Sequence, residues 1–173
     1  MTPAFVESNM TFGPFAEGHC FRIEQSPAYR TIQYNVKIAE FLLFRPQPDQ
    51  SQVFWIVEAK TKAPRPGSAD FDTFIGEIQQ KWINTHSLSL ALRLHRHGPA
   101  FNELPLPFQT MNLHHTHFQF LLVIHEHEES WIPPLQEALQ KAMIPTVKTW
   151  AMNKHPVVVV INDAEARRRH LTS

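Results

Sequence analysis

The sequence has few of the residues on which several common kinds of site depend. It contains one cysteine, Cys20, which excludes a disulfide framework and a zinc site built from several thiolates. There are five glycines in 173 residues and no glycine-rich phosphate loop, which argues against a nucleotide-binding loop. No apolar run approaches the roughly 18 residues of a membrane helix, and the first residues lack the pattern of a signal peptide. We therefore expect a soluble, cytoplasmic protein with no membrane partner.

The charge of the chain is balanced, with 16 Lys+Arg against 16 Asp+Glu. Proteins that grip nucleic acid tightly are usually basic, because phosphate neutralisation dominates their affinity. The balance therefore argues against tight DNA binding by this chain alone. Apolar residues make up 43% of the sequence, enough for a packed core, and the length suits one domain over residues 1–173.

Hydrophobic periodicity predicts an α/β (α+β) fold, in which helices flank a mixed central β-sheet. Strands are predicted over residues 19–25, 36–44, 53–60, 118–124 and 157–161. Helices are predicted from Asp70 or Asp72 to about Leu94, from Pro134, and in a tail capped by Asp163, with a short helical piece after Ser26-Pro27. Residues 1–17 favour an irregular or briefly helical lead-in, and residues 98–116 favour a loop.

One motif ends a very apolar strand with two charges. In the segment Val53–Lys60, Glu58 and Lys60 are two residues apart and therefore point to the same face of the sheet. A carboxylate and an ammonium in such surroundings are costly unless they are paired, hydrated at a cleft, or bound to a metal. A surface ion pair is the simpler explanation for an isolated Glu-x-Lys, but this one follows a second carboxylate.

That second carboxylate is Glu40, in the preceding predicted strand. Segments 36–44 and 53–60 are joined by a polar, proline-rich connection, which predicts an antiparallel hairpin placing Glu40 near Glu58. Two carboxylates on one face repel each other, and a divalent cation relieves this repulsion. We expect their carboxyl groups to lie within about 8 Å of each other, since one Mg²⁺ could not otherwise join them.

These residues resemble the PD-(D/E)XK nuclease superfamily. The matching features are an acid on one strand (Glu40), Glu58 and Lys60 ending the next strand, and a following helix with polar side chains. The resemblance covers about residues 19–95 and implies a restriction-endonuclease-like fold. The same stretch of sequence also looks like a group of small bacterial proteins with the same order of strands and helices.

The resemblance implies a Mg²⁺- or Mn²⁺-dependent hydrolase of phosphodiester bonds, acting on DNA more than RNA in a bacterial defence or mobile-element system. Glu40, Glu58 and the Ala59 carbonyl would bind the metal, and Lys60 would serve the attacking water. Gln80 is the first helix candidate, with Gln79 and Glu77 as others and Glu24 as a possible extra acid. Help from a homodimer or a partner subunit is expected.

Two other functions remain open on the sequence alone. Glu40 stands where the superfamily more often has Asp, and the usual preceding proline is missing, which leaves room for an inactive interaction module with the same fold. The histidine clusters at 114–117 and 125–127 could instead form a zinc site, although polar loops and strand ends explain them more simply. The basic run Arg167–His170 could contact phosphates or form a solvated helix face.

Overall fold

The computed structural model describes residues 1–47, 51–153 and 156–173. It contains a two-stranded sheet and a five-stranded mixed sheet with helices packed against it, which confirms the predicted fold class. The strands are Phe5–Glu7 (β1), Met10–Phe12 (β2), Cys20–Phe21 (β3), Phe41–Pro46 (β4), Gln52–Lys60 (β5), Thr116–Ile124 (β6) and Val158–Asn162 (β7). The α-helices are Pro27–Ile32 (α1), Phe71–Arg93 (α2), Leu106–Thr110 (α3), Ile132–Thr149 (α4) and Asp163–Arg168 (α5). No described helix combines the length and apolar character that crossing a membrane requires.

The large sheet joins an antiparallel half to a parallel half through β5. Its strand order is β3-β4-β5-β6-β7; β3, β4 and β5 run antiparallel, whereas β5, β6 and β7 run parallel. The centre of β5 is buried, as expected for a strand with neighbours on both sides and cover on both faces.

Each face of this sheet carries its own hydrophobic cluster. On one face, Ile56 and Phe120 pack with Trp82 of α2 and with apolar residues of α4. On the other face, Val57 and Val159 belong to a cluster that includes residues of β2 and α5. The period of two along β5 therefore sends Ile56 and Glu58 toward the helices α2 and α4.

The N-terminal segment differs from its prediction. Residues 1–17 do not form an irregular or helical lead-in, because β1 and β2 pair as an antiparallel hairpin. Its turn residues Ser8 and Asn9 have φ values of 49° and 63°, the conformation of a two-residue type I′ turn. Phe12 packs edge-on against Phe41 at 5.1 Å, which fastens the hairpin to the sheet.

The predicted strand over residues 19–25 is much shorter than expected. Only Cys20–Phe21 pair with β4, and Ile23–Gln25 turn into a 3₁₀ helix. The turn leads directly into α1, where Ser26 accepts a hydrogen bond from the backbone N–H of Tyr29 as a helix cap. The short helix predicted after Ser26-Pro27 is confirmed.

The strand predicted over residues 36–44 begins later, at Phe41. Just before it, the backbone N–H of Glu40 still donates to the Val57 carbonyl of β5 at 3.1 Å, whereas the N–H of Ala39 donates to the Thr85 hydroxyl of α2 at 2.7 Å. The predicted pairing of this segment with 53–60 is otherwise confirmed, with Phe41 opposite Val57. The centre of the hairpin connection lies outside the described residues.

Residues 98–116 contain more regular structure than the predicted loop. A 3₁₀ helix covers Gly98–Glu103, α3 follows, and β6 already begins at Thr116. Prolines lie in the first turn of both short helices, where a missing N–H costs nothing.

The helix starts were predicted to within a few residues, but two of the expected caps are different. Asp70 occupies the N-cap position of α2 without capping it; its carboxylate accepts from the Ser68 hydroxyl instead. The cap of α5 is Asn162 rather than Asp163, because Asn162 accepts the hydrogen bond from the Glu165 N–H. Helix α4 begins at Ile132, two residues before Pro134.

Candidate metal centre

Glu40 immediately precedes the first residue of β4, and there it lies beside Glu58, near the end of β5. Phe41 is opposite Val57, and the N–H of Glu40 donates to the Val57 carbonyl at 3.1 Å, so Glu40 lies beside Glu58. Both side chains follow the alternation that places Leu42 and Ile56 in the cluster under α2. The side chain of Glu58 has 0% of its surface exposed, and that of Glu40 has 11%.

Two lysines contact the buried Glu58 carboxylate. Lys60 Nζ lies 3.1 Å and Lys81 Nζ lies 2.7 Å from the same oxygen, Glu58 Oε1. Lys81 Nζ is also 3.7 Å from Glu40 Oε1. Because both carboxyl groups contact one nitrogen, they lie closer together than the limit of about 8 Å for a shared Mg²⁺. The structure therefore brings Glu40, Glu58 and Lys60 together as predicted.

Lys81 is the central cation of this group, and the sequence analysis did not assign it. The residues Ile78, Trp82 and Thr85 of α2 are fully buried. Position 81 follows Ile78 by three residues and precedes Thr85 by four, so it belongs to the same buried stripe of the helix. A lysine within such a stripe is the sequence signal for this contact, because a buried ammonium requires an anionic partner.

The electrostatics of the group are dominated by burial and by like charges. Burial raises the pKa of Glu58, while Lys81 and Lys60 act in the opposite direction. Burial also raises the pKa of Glu40, and a hydrogen bond with Glu24 and the charge of Glu58 raise it further, to about 9. Burial lowers the pKa of Lys81, but the charge and hydrogen bond of Glu58 outweigh this and leave it above its usual value.

Two further carboxylates, those of Glu7 and Glu24, lie close to Glu40. One carboxylate oxygen from each of Glu7, Glu24 and Glu40 lies within 4.8 Å of the others. Glu24 was predicted as a possible extra acid, and the 3₁₀ helix that replaces the expected strand carries it there. Glu7 was not predicted, because its position depends on the N-terminal hairpin, for which the local pattern carried little signal.

The remaining predicted site residues take different positions. The Ala59 carbonyl accepts a hydrogen bond from the Ser8 hydroxyl at 3.0 Å, which leaves its second lone pair for another partner. Gln80 is exposed and donates to Asn84 of its own helix, and Gln79 donates to the Ala142 carbonyl of α4. The helix residue in contact with Glu40 and Glu58 is thus Lys81, and a catalytic role for Gln80 stays a prediction.

The histidine clusters do not join the acidic group. Among the described residues, no histidine belongs to a set of three metal-ligating side chains within reach of one ion. His125 Nδ1 is 4.0 Å from Asp163, and His127 packs on Trp131 with ring centroids 5.7 Å apart. These contacts fit the simpler structural explanation of His125 and His127.

The arginines of the basic run in the tail are paired with carboxylates close to them in the sequence. Arg168 and Arg169 both donate to Glu165, and Arg167 pairs with Asp163 at 2.9 Å. This arrangement is that of a solvated helix face with local ion pairs.

A divalent cation fits the residues at the end of β5. Glu58 Oε2 is buried and has no hydrogen-bond partner among the described residues. Carboxylate oxygens are the ligands that Mg²⁺ and Mn²⁺ prefer, and an unpaired oxygen of a fully buried carboxylate calls for such a partner.

No protein family, curated protein or solved structure gave a significant match to the chain. The argument for function therefore rests on the residues at this centre.

Proposed function

We propose that the protein is a Mg²⁺- or Mn²⁺-dependent nuclease that hydrolyses phosphodiester bonds, in DNA more readily than in RNA. The observation that carries the proposal is the Glu58 carboxylate, which is fully buried, with one oxygen in contact with two lysines and the other without a hydrogen-bond partner among the described residues. Such a concentration of buried charge at the end of a central strand costs stability, and catalytic sites are where groups of this kind cluster.

Each residue has a role that follows from its position. Glu40 and Glu58 would hold the cation, and the Ala59 carbonyl would add a neutral oxygen ligand. When bound, the cation supplies Lewis-acid polarisation of a phosphoryl oxygen. Lys60 is the more exposed of the two lysines, with 28% of its side-chain surface accessible against 15% for Lys81. It is therefore the better placed to orient a water or to stabilise charge that develops on a phosphate.

The surface charge shapes how such a nuclease would reach its substrate. The chain is neutral overall, and its basic run is paired internally. Binding to a long phosphate backbone would therefore depend on a second copy of the chain or on a partner subunit. From the resemblance to the nuclease superfamily, we propose a role in a bacterial defence or mobile-element system.

The activity is tested by replacing Lys60 with methionine. Lys60→Met keeps the apolar stem and removes the charge, so the variant should fold and still bind Mn²⁺. Its cleavage of plasmid or single-stranded DNA should fall by roughly 10²-fold or more, the range for loss of a positioned acid–base group. The control is Lys141→Met, at an exposed position on α4, which should cleave like the wild type. A folded Lys60→Met that cleaves at the wild-type rate contradicts the assigned role.

A second candidate function is a non-catalytic interaction module with the same fold. The observation in its favour is Lys81, whose ammonium already contacts both Glu40 and Glu58. A tethered cation in this place can neutralise the carboxylates permanently and make a metal unnecessary. Calorimetric titration with Mn²⁺ separates the two candidates: a wild type that binds no Mn²⁺ at millimolar concentration favours the module, whereas binding that Glu58→Ala abolishes favours the nuclease.

A further inference from the structure

A cavity of about 320 Å³ lies near the start of β6, at the opposite end of the central strands from the candidate metal centre. Its walls come from α2, from the segment leading into β6 and from the end of α4, and include Leu90, His114, Thr116, Phe118, Trp150 and Asn153. Ligand sites in proteins measure about 300–1,000 Å³, so this one is small. The cavity therefore suits a small molecule or one group of a larger one.

One wall of the cavity is the indole of Trp150, which is 52% exposed although it is large and mostly apolar. The buried ring of His86 meets it in a T-shaped contact, with the ring centroids 4.7 Å apart. The turn that ends α4 fixes the backbone, since Ala151 is left-handed (φ 48°) and the Met152 N–H donates to the Val147 carbonyl at 3.0 Å, as in a Schellman motif. An aromatic surface is thus held in place and left accessible.

Polar groups stand beside this aromatic wall. His114 and Asn153 are exposed and offer hydrogen-bond donors and acceptors. The turn that carries His114 is fixed, because its N–H donates to the Asn112 side-chain oxygen at 3.0 Å and the Thr116 hydroxyl donates to the Asn112 carbonyl at 2.7 Å. This combination matches an unpaired nucleobase, which proteins bind by stacking on aromatic rings and by hydrogen bonds to the edges of the base.

The cavity lies within reach of the candidate metal centre. Phe118 pairs with Phe54, four residues before Glu58, which corresponds to about 13 Å along the strand. Helix α2 spans a similar distance from Lys81 to Leu90, at 1.5 Å per residue. At the spacing of about 3.4 Å per nucleotide in a stacked strand, this separation corresponds to about four nucleotides. One strand is therefore long enough to contact both places.

We propose that the cavity beside Trp150 binds an unpaired base of single-stranded nucleic acid, which stacks on the indole and meets His114 and Asn153 at its edge. The inference rests on the proposed function, because the strand is the substrate assigned there to the metal centre. It also answers a difficulty of charge: the chain has 16 Lys+Arg and 16 Asp+Glu, and stacking provides affinity that does not depend on neutralising phosphates.

The test is the binding of a labelled single-stranded DNA of mixed sequence, followed by fluorescence anisotropy in EDTA so that no divalent cation supports cleavage. Trp150→Ala should weaken binding by about fivefold or more, as expected for loss of one stacking aromatic ring. The salt dependence of binding should keep its slope, since no phosphate contact is removed. Trp150→Phe should retain most of the affinity. The control Tyr34→Ala, at a residue that is 87% exposed, should bind like the wild type.

A second measurement uses the wild type alone and does not depend on whether Trp150→Ala folds, which a thermal unfolding curve checks. A strand of equal length that lacks all its bases keeps every phosphate but offers nothing to stack. It should bind about fivefold more weakly, or worse, than the strand with bases.

The outcomes separate this inference from the proposed function. If a folded Trp150→Ala binds as tightly as the wild type, or if the strand without bases binds as tightly as the complete one, the inference is overturned. DNA cleavage that Lys60→Met suppresses would then still support the nuclease. If the wild type prefers the strand with bases and Trp150→Ala loses that preference, but no nucleic acid is cleaved with Mn²⁺, the base site stands and the nuclease proposal fails.

Discussion

At the scale of single residues, Glu58 and Lys81 depend on each other. Neither charge is stable alone in a buried position, because water no longer solvates it. Their contact at 2.7 Å, with Lys60 at 3.1 Å from the same oxygen, satisfies one oxygen of the Glu58 carboxylate, while the other has no hydrogen-bond partner in the described part of the chain. The same lysine therefore stabilises the fold and competes with any cation for Glu40 and Glu58.

This competition predicts a metal-dependent rescue. Lys81→Met should lower the free energy of unfolding by about 3–5 kcal/mol, the cost of leaving a buried charge without its partner. Millimolar Mn²⁺ should then raise the melting temperature of Lys81→Met more than that of the wild type, since a bound cation replaces the ammonium. Thermal unfolding with and without Mn²⁺ measures both effects. An equal Mn²⁺ response in the two proteins would show that Glu40 and Glu58 do not take up a cation in place of Lys81.

A second buried group, His86, links stability to pH. It is 1% exposed and packs edge-on against Phe118 and Trp150, with ring centroids 4.7 Å away in each case. Burial lowers its pKa from 6.5 to about 4, so the neutral ring is the form that the folded protein accommodates. The sequence analysis did not single out this residue, although it follows the buried Trp82 by four residues and so continues the apolar stripe of α2.

The sign of the pH effect follows from the direction of this shift. The unfolded chain binds a proton near pH 6.5, whereas the folded protein resists it until about pH 4. The contribution of His86 is therefore fully present above pH 6.5 and is lost as the pH falls toward 4, by up to roughly 3 kcal/mol. Urea unfolding between pH 7 and 4 should show a shallower loss for His86→Leu than for the wild type. The exposed control His115→Leu should keep the wild-type slope; a wild-type slope in His86→Leu would exclude His86 as the cause.

At the scale of elements, helix α2 contacts both the carboxylates of the candidate metal centre and the backbone next to Glu40. Lys81 contacts the carboxylates directly, and one turn later the Thr85 hydroxyl accepts from the buried N–H of Ala39 and donates to the Lys81 carbonyl. The contact at Ala39 fastens the chain before β4 to α2, directly next to Glu40, whose own N–H donates to the Val57 carbonyl of β5.

Thr85 should therefore affect both stability and the site. Thr85→Val keeps the shape of the side chain but leaves the Ala39 N–H unpaired, which should cost about 1–3 kcal/mol. Thr85→Ser keeps the hydroxyl and loses one methyl group, at a cost of about 1 kcal/mol. Chemical unfolding gives the two stabilities, and Mn²⁺ titration should show weaker binding for Thr85→Val than for Thr85→Ser. If the two variants bind Mn²⁺ equally, Thr85 does not position Glu40.

At the scale of the whole molecule, the site lies at the end of the strand that unites the two halves of the sheet. Trp82 of α2 is fully buried above this strand, with its ring 5.6 Å from that of Phe120 on β6. Its neighbour in the helix is Lys81, so the packing of the helix onto the sheet and the geometry of the site are set together.

Removing this indole should weaken the whole fold. Trp82→Ala should lower the free energy of unfolding by about 3–5 kcal/mol, the usual cost of deleting a large buried aromatic side chain. Tyr34→Ala serves as the control, since Tyr34 is 87% exposed and its loss should change stability by less than about 0.5 kcal/mol. Guanidinium unfolding followed by circular dichroism measures both values. Similar stabilities for the two variants would contradict the central place of Trp82 in the core.

The sequence by itself determined the central strand, the long helix and the shared sheet face of Glu58 and Lys60. Those features depend on periodicity within one segment, where the spacing of side chains decides which face each residue occupies. The approach of Glu40 to Glu58 also followed from the sequence, because a short connection between two strands restricts their register.

Only the tertiary structure decided the rest of the site. Lys81, Glu24 and Glu7 lie on elements that reach β5 through packing between segments far apart in the chain. The buried stripe of α2 indicated that position 81 faces inward, but no local pattern states which carboxylate it meets. The hairpin that carries Glu7 is held by Phe12 against Phe41 and by Ser8 against Ala59. Such contacts are set by the free energy of the assembled core, and this is why they cannot be read from any one stretch of sequence.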